Sequence, residues 1–148
     1  MGKNLVLCLD GTWNGPNAAD RKGNLTPTNV QKLFEALKGS GPLAAADQEK
    51  ELAWPAAGGA AATQAAKYIH GIGDSANALA RACEGAVGLG LVARVVRGYT
   101  WLSRVYAPGD RLFIAGFSRG AYTARALAGL VGRQGLLDWQ AMRLEAGS

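Results

Sequence analysis

The stretch "IAGFSRGAYTAR", residues 114–125, decides the fold and raises the question of function. It follows a turn at Pro108-Gly109-Asp110 and begins inside the short apolar run Arg111 to Phe117. Such a run suits a strand buried on both faces, as in a parallel sheet. From Arg119 to Val131, residues Ala121, Ala124, Leu127, Ala128 and Val131 recur at helical spacing. A strand, then Gly-Phe-Ser-Arg-Gly, then a helix is the setting that gives a Gly-x-Ser-x-Gly motif chemical meaning. The turn lifts the Ser118 hydroxyl above the sheet, and Gly116 and Gly120 relieve the crowding where strand and helix cross. The helix start adds N–H groups and the positive end of a dipole, both suited to an oxyanion. Ser118 is therefore the candidate nucleophile.

Working outward, two further strand-then-helix units precede the serine. Leu5 to Leu9 (LVLCL) reads as a strand ending at Asp10-Gly11-Thr12-Trp13-Asn14. Thr28 then caps a helix with Val30, Leu33, Phe34 and Leu37 on one face. Gly39 to Thr63, rich in Ala, Gly and Pro, reads as an irregular excursion. Ala65 to His70 is the second strand, ending at Gly71-Ile72-Gly73, and Ser75 to Gly88 is small-residue helix or loop. Leu89 to Tyr106 reads as an amphipathic helix. Leu89, Val92, Val96, Tyr99, Leu102 and Tyr106 are expected inward, and Arg94, Arg97 and Arg104 outward. This alternation predicts an α/β fold with a parallel sheet. Ligands bind such sheets at the carboxyl ends of strands, so the loops at Asp10 to Asn14, His70 to Asp74 and Phe117 to Gly120 should share the functional edge.

Composition narrows the functional classes. A chain of 148 residues, 49% hydrophobic and 18% charged, fits one globular domain. No apolar run reaches membrane-spanning length, and the first residues lack the shape of a signal peptide. Synthesis in the cytoplasm is expected, with any export by a leaderless route. The net charge is +5, but the sixteen Lys and Arg are scattered and do not alternate with aromatics, which argues against nucleic acid. A solvated basic surface is the expected reading, with attraction to anionic lipid as the alternative. Cys8, inside an apolar strand, reads as a small buried hydrophobe, and Cys83 lies in a helical segment. Neither has metal-type spacing, so no metal, cofactor or disulfide framework is expected.

The blocks "LVLCLDGTWN", "TNV", "YIHGIG" and "GYTWLSRVYAPGDRLFIAGFSRGAYTARALAGLVGRQGLL" resemble the N-terminal half of the type VI secretion phospholipase effector family. That family sits within a wider group of uncharacterised α/β-hydrolase catalytic domains. The blocks span nearly the whole chain in the family's order, and "GFSRGAYTAR" preceded by "YAPGDR" is the most specific. The resemblance implies an α/β-hydrolase-like three-layer sandwich, a Ser118 nucleophile, and hydrolysis of an ester or phospholipid substrate.

The triad partners are the difficulty. In hydrolases of this type the acid and the histidine follow the serine. Here only Asp138 and Glu145 follow Ser118 as acids, and the single histidine, His70, precedes it. The expectation is that residues 1–148 form the N-terminal part of one catalytic domain, incomplete without a C-terminal half. His70 lies at the functional edge but is more simply a polar loop residue, and Asp138 a solvated or capping carboxylate.

Asp10-Gly11-Thr12 allows two readings. In one, Gly11 or Thr12 supplies a backbone N–H to the oxyanion and Arg119 supplies the other. Asp10 then ties the loop, while Trp13 and Asn14 shape the pocket wall. In the other, "DGT" is similar to the motif of aspartate-nucleophile phosphatases, but Cys8 occupies the nucleophile's place, which disfavours it. A non-catalytic remnant or binding module on the same scaffold is the remaining alternative to a serine hydrolase.

Overall fold

Residues 2–11, 26–44, 48–55, 61–71, 87–139 and 141–142 are described by a computed structural model. The first strand, β1 (Asn4–Leu9), is followed by helix α1 (Asn29–Glu35), strand β2 (Glu49–Trp54) and strand β3 (Gln64–Ile69). Helix α2 (Val87–Val105), strand β4 (Arg111–Gly116) and helix α3 (Arg119–Gln134) complete the order. The strands form a single sheet in the order β2-β3-β1-β4. β1 lies parallel to both β3 and β4, with Leu9 opposite Ile69 on one side and Gly116 on the other.

The expectation of a parallel sheet needs correcting at one edge. β2 arises within the segment read as irregular and pairs antiparallel with β3, so the sheet is mixed. Its sequence, EKELAW, is half charged and hides the alternation that marks a strand. The pattern is paid for in ion pairs: Lys67 on β3 bonds Glu49 at 2.8 Å and Glu51 at 3.0 Å. From α2, Arg97 reaches Glu49 at 3.0 Å and Arg104 reaches Glu51 at 2.6 Å.

Side-chain alternation along β1 divides the core in two. Leu5, Leu7 and Leu9 pack with Trp101 and Leu102 of α2 and with Ala124 and Leu127 of α3. Val6 and Cys8 face the opposite way, against Val30 and Phe34 of α1, Leu43, Ala66 and Tyr68. Two helices thus cover one face and α1 the other, giving three layers. Thr28 caps α1 as expected, its Oγ1 accepting from Gln31 N at 3.0 Å. Leu33, expected inward, is exposed, while Val30 and Phe34 are buried.

The inward face of α2 also differs from the expectation. Val92 and Val96 are 58% and 56% exposed and Tyr106 is exposed, whereas Arg94 is only 3% exposed. Burying Trp101 and Leu102 removes more apolar surface than burying two valines, which sets the helix rotation. The rotation turns Arg94 under, and it is tolerated because its guanidinium finds carbonyl acceptors at the strand ends. Arg97 and Arg104 do point outward, toward β2.

At the amino edge of the sheet, Asp110 holds the turn before β4 onto the start of β1. Its carboxylate accepts from Lys3 N at 2.8 Å, from Ala107 N at 2.9 Å and from Lys3 Nζ. The expected helix or loop at 75–88 lies outside the described residues up to position 86, as does Cys83.

Candidate active site

The turn from β4 into α3 is built by close backbone approach. Leu9 O accepts from Phe117 N at 3.1 Å, which carries the β1–β4 pairing one step past the strand. Ser118 then adopts φ 52° and ψ −125°, and it is the non-glycine residue with positive φ among the described residues. Such a conformation costs on the order of 1–3 kcal/mol and persists only where the surroundings enforce it. Both flanking glycines are needed there. A Cβ at Gly116 would lie 2.7 Å from the Ala121 backbone, and one at Gly120 would lie 2.6 Å from Asp10 O and overlap Leu9 O.

A serine at a helix start is ordinarily a cap, its hydroxyl accepting from the first-turn N–H groups. Ser118 occupies the N-cap position of α3, but its side chain makes no capping hydrogen bond. Its carbonyl, not its hydroxyl, takes the bond from Ala121 N at 3.0 Å. The side chain is exposed at the carboxyl edge.

Asp10, at the end of β1, is fully buried and densely bonded. Tyr68 Oη donates to Asp10 Oδ2 at 2.7 Å, and Thr28 Oγ1 donates to the same oxygen at 2.9 Å. Gly11 N donates to Asp10 Oδ1 at 2.8 Å. The Gly11 N–H is therefore committed to its neighbour's carboxylate. Thr12, Trp13 and Asn14 lie outside the described residues. From the opposite face, Arg94 Nη2 donates to Asp10 O at 2.6 Å and to Ile69 O at 3.3 Å. Tyr68, Thr28 and Arg94 are contributions the sequence reading did not assign to the site. Thr28 was legible only as a helix cap, and the charge of Arg94 pointed to the wrong face.

Burial shapes the titration of this group. Desolvation, reinforced by the hydrogen bond to Asp10 and its charge, raises the Tyr68 phenol well above its ordinary value. Burial works against the charge of Arg94, and the nearby Asp10 carboxylate offsets part of that. Desolvation, followed by the charge of Asp10, pushes the Cys8 thiol up to about 12. A thiol in that state is protonated at neutral pH and is no nucleophile.

His70 is half-buried at the same carboxyl edge, and its N–H donates to Gln48 O at 3.0 Å. β1 lies between it and the serine strand, so it stands about two strand spacings, roughly 10 Å, from β4. Asp138 acts as a cap, its Oδ1 accepting from Ala141 N at 3.0 Å. Among the described residues, no group of His, Cys, Asp and Glu could hold a metal ion. No helix among them is long and apolar enough to cross a membrane.

The described chain thus presents a strand that ends in a strained serine flanked two positions away on either side by glycine. The family model for the catalytic domain of Tle1-like phospholipase effectors of type VI secretion matches residues 3–146. The chain belongs to this family. An uncharacterised protein of Saccharomyces cerevisiae is 29% identical to the Tle1-like chain over 150 residues. That match covers 93% of the chain but 18% of the yeast protein, so the chain spans about a fifth of the length of this curated relative. No solved structure matches.

Proposed function

We propose that this Tle1-like domain is the nucleophile-bearing part of a serine hydrolase that cleaves an ester bond in a phospholipid. One observation carries the reading: Ser118 is held at φ 52° between two glycines packed on backbone, with its hydroxyl unspent on capping. The family, named for phospholipase effectors of type VI secretion, supplies the substrate class and the route of export.

In this mechanism Ser118 Oγ attacks the ester carbonyl while a histidine takes its proton. The negative charge that develops on the carbonyl oxygen is held by backbone N–H groups, each worth on the order of 3 kcal/mol. Arg119 N–H is the first donor. The second comes from the loop after β1, and Thr12 is better suited than Gly11, whose N–H is bonded to Asp10. Collapse of the tetrahedral intermediate expels the alcohol, which receives the proton from the histidine. Water then attacks the acyl-serine with the same histidine as base, releasing the fatty acid and restoring Ser118. Neither a histidine nor an acid stands in place to complete a triad with Ser118 among the described residues. His70 is a poor substitute at two strand spacings, and Asp138 is engaged as a cap.

The test compares residues 1–148, the longer natural protein that contains them, and that longer protein with Ser118→Ala. Short-chain aryl esters and phospholipid vesicles are the substrates. Activity is expected only in the second sample, and loss of the nucleophile should cost on the order of 10⁶ in turnover. Activity that survives Ser118→Ala would overturn the reading and favour a binding module or another chemistry. Full activity in residues 1–148, lost in His70→Ala, would make His70 the base.

A further inference from the structure

The carbonyl and the carboxylate of one residue, Asp10, are gripped from opposite faces of the sheet. On the α1 face, Tyr68 Oη and Thr28 Oγ1 both donate to Oδ2, at 2.7 and 2.9 Å. On the face covered by α2 and α3, Arg94 Nη2 donates to the main-chain carbonyl at 2.6 Å. Asp10, Tyr68 and Arg94 are all nearly or fully removed from water. A buried arginine whose hydrogen bonds go to backbone carbonyls, with its Nε left unpartnered, is costly, and packing alone does not call for it.

What the grip holds is next to Ser118. The first turn of α3 rests on the same Asp10 carbonyl, since a Cβ at Gly120 would come within 2.6 Å of it. Phe117 N bonds the preceding carbonyl, Leu9 O. The peptide that Arg94 fixes is thus the surface on which the serine turn is seated, and the carboxylate that Tyr68 and Thr28 fix sets the direction of the chain as it leaves β1 through Gly11.

We propose that Arg94, Tyr68 and Thr28 are positioning residues that clamp Asp10 and thereby set the Ser118 hydroxyl in register for catalysis. This rests on Ser118 being the nucleophile. The clamp touches no substrate and acts through the Asp10 peptide. Its loss should slow the chemical step without weakening the binding of a reagent, because a misplacement near 1 Å is enough to cost about 10²-fold in rate.

The experiment uses the full natural protein and a fluorophosphonate, with adduct formation at Ser118 followed by mass spectrometry. Tyr68→Phe removes one hydroxyl and keeps the ring in its tilted contact with Phe34, at 5.7 Å between centroids. Arg94→Met removes the charge and the donors, and Arg94→Lys keeps a donor. Tyr68→Phe and Arg94→Met are expected to lower the maximal labelling rate about tenfold or more. The half-saturating concentration should stay within twofold, Arg94→Lys should recover part of the rate, and Val92→Ala should match the wild type. Amide hydrogen exchange of residues 117–122 should speed up about tenfold in the two variants while that of residues 5–8 is unchanged. Labelling at the wild-type rate in Tyr68→Phe and Arg94→Met overturns the clamp. If Arg94→Met does not fold, Tyr68→Phe decides. If the wild type does not label at Ser118, the nucleophile reading falls. Exchange then judges the clamp alone: faster exchange at 117–122 supports it, and unchanged exchange overturns it.

Discussion

Tyr68 Oη and Asp10 Oδ2 meet at 2.7 Å, with both side chains fully buried at the carboxyl ends of adjacent strands. A phenol bonded to a carboxylate out of water keeps its proton far more tightly than one in an unfolded chain. Cys8, opposite Tyr68 in the β1–β3 register, behaves in the same sense.

Alkaline stability follows from these two groups. Unfolded, they lose protons near 9 and 10, whereas the folded thiol holds its proton to about 12 and the folded phenol is raised further still. The unfolded state then binds fewer protons than the native state, so stability falls as pH rises. Denaturant melts should be level up to about pH 9 and weaken steadily from there toward pH 12. Tyr68→Phe should flatten part of that slope. A melt midpoint that does not move between pH 8 and 11 contradicts the assignment.

The Cys8 thiol should be silent in the native protein. In a Cys83→Ser background, an excess of iodoacetamide at pH 8 is expected to leave Cys8 unmodified for hours and to alkylate it within minutes once denaturant is added. Rapid native modification would show that the strand opens or that the thiol is less buried than described.

Gly120→Ala should be far more damaging than an ordinary glycine substitution in a helix. The added methyl meets the carbonyls of Leu9 and Asp10, which are backbone and cannot swing aside. A loss of about 3 kcal/mol or more is expected from denaturant titration, against less than about 1 kcal/mol for Gly129→Ala, where the Cβ meets open space. Equal effects at the two positions would mean that α3 is not seated on β1.

The ion pairs along β2 should rank by burial. Arg97 and Arg104 are about half exposed, so Arg97→Ala and Arg104→Ala should each cost under about 1 kcal/mol and less at high salt. Lys67 is 9% exposed and serves two carboxylates, so Lys67→Met should cost about 2–3 kcal/mol and loosen β2 selectively. Hydrogen exchange along residues 49–54 separates the two cases.

Strong local patterns made part of the molecule legible. β1, β3 and β4 carry short apolar runs, and Thr28 precedes a clear helical face, so these elements could be placed from residues alone. The Gly-x-Ser-x-Gly turn could be read too, because steric need and chemistry favour the same residue types. β2 was hidden because its side chains satisfy each other by charge. The rotation of α2 was hidden because apolar residues occur around the helix. Which valines lie outward was decided by Trp101 and by carbonyl acceptors for Arg94, and both are tertiary facts. The hub at Asp10 joins residues 18, 58 and 84 positions away, a distance no local pattern reports.

The two borders of the sheet are chemically unlike. The β2 border is a hem of Glu49, Lys50 and Glu51, the kind of charged margin that discourages another strand from adding on. The β4 border carries Leu112, Phe113 and Ile114, and Phe113, in register with Val6 on the α1 side of the sheet, is 51% exposed. Growth of the sheet is therefore one-directional. The margin chemically open to another strand is thus the one beside the exposed Ser118 turn, so pairing there and access to that turn share one seam.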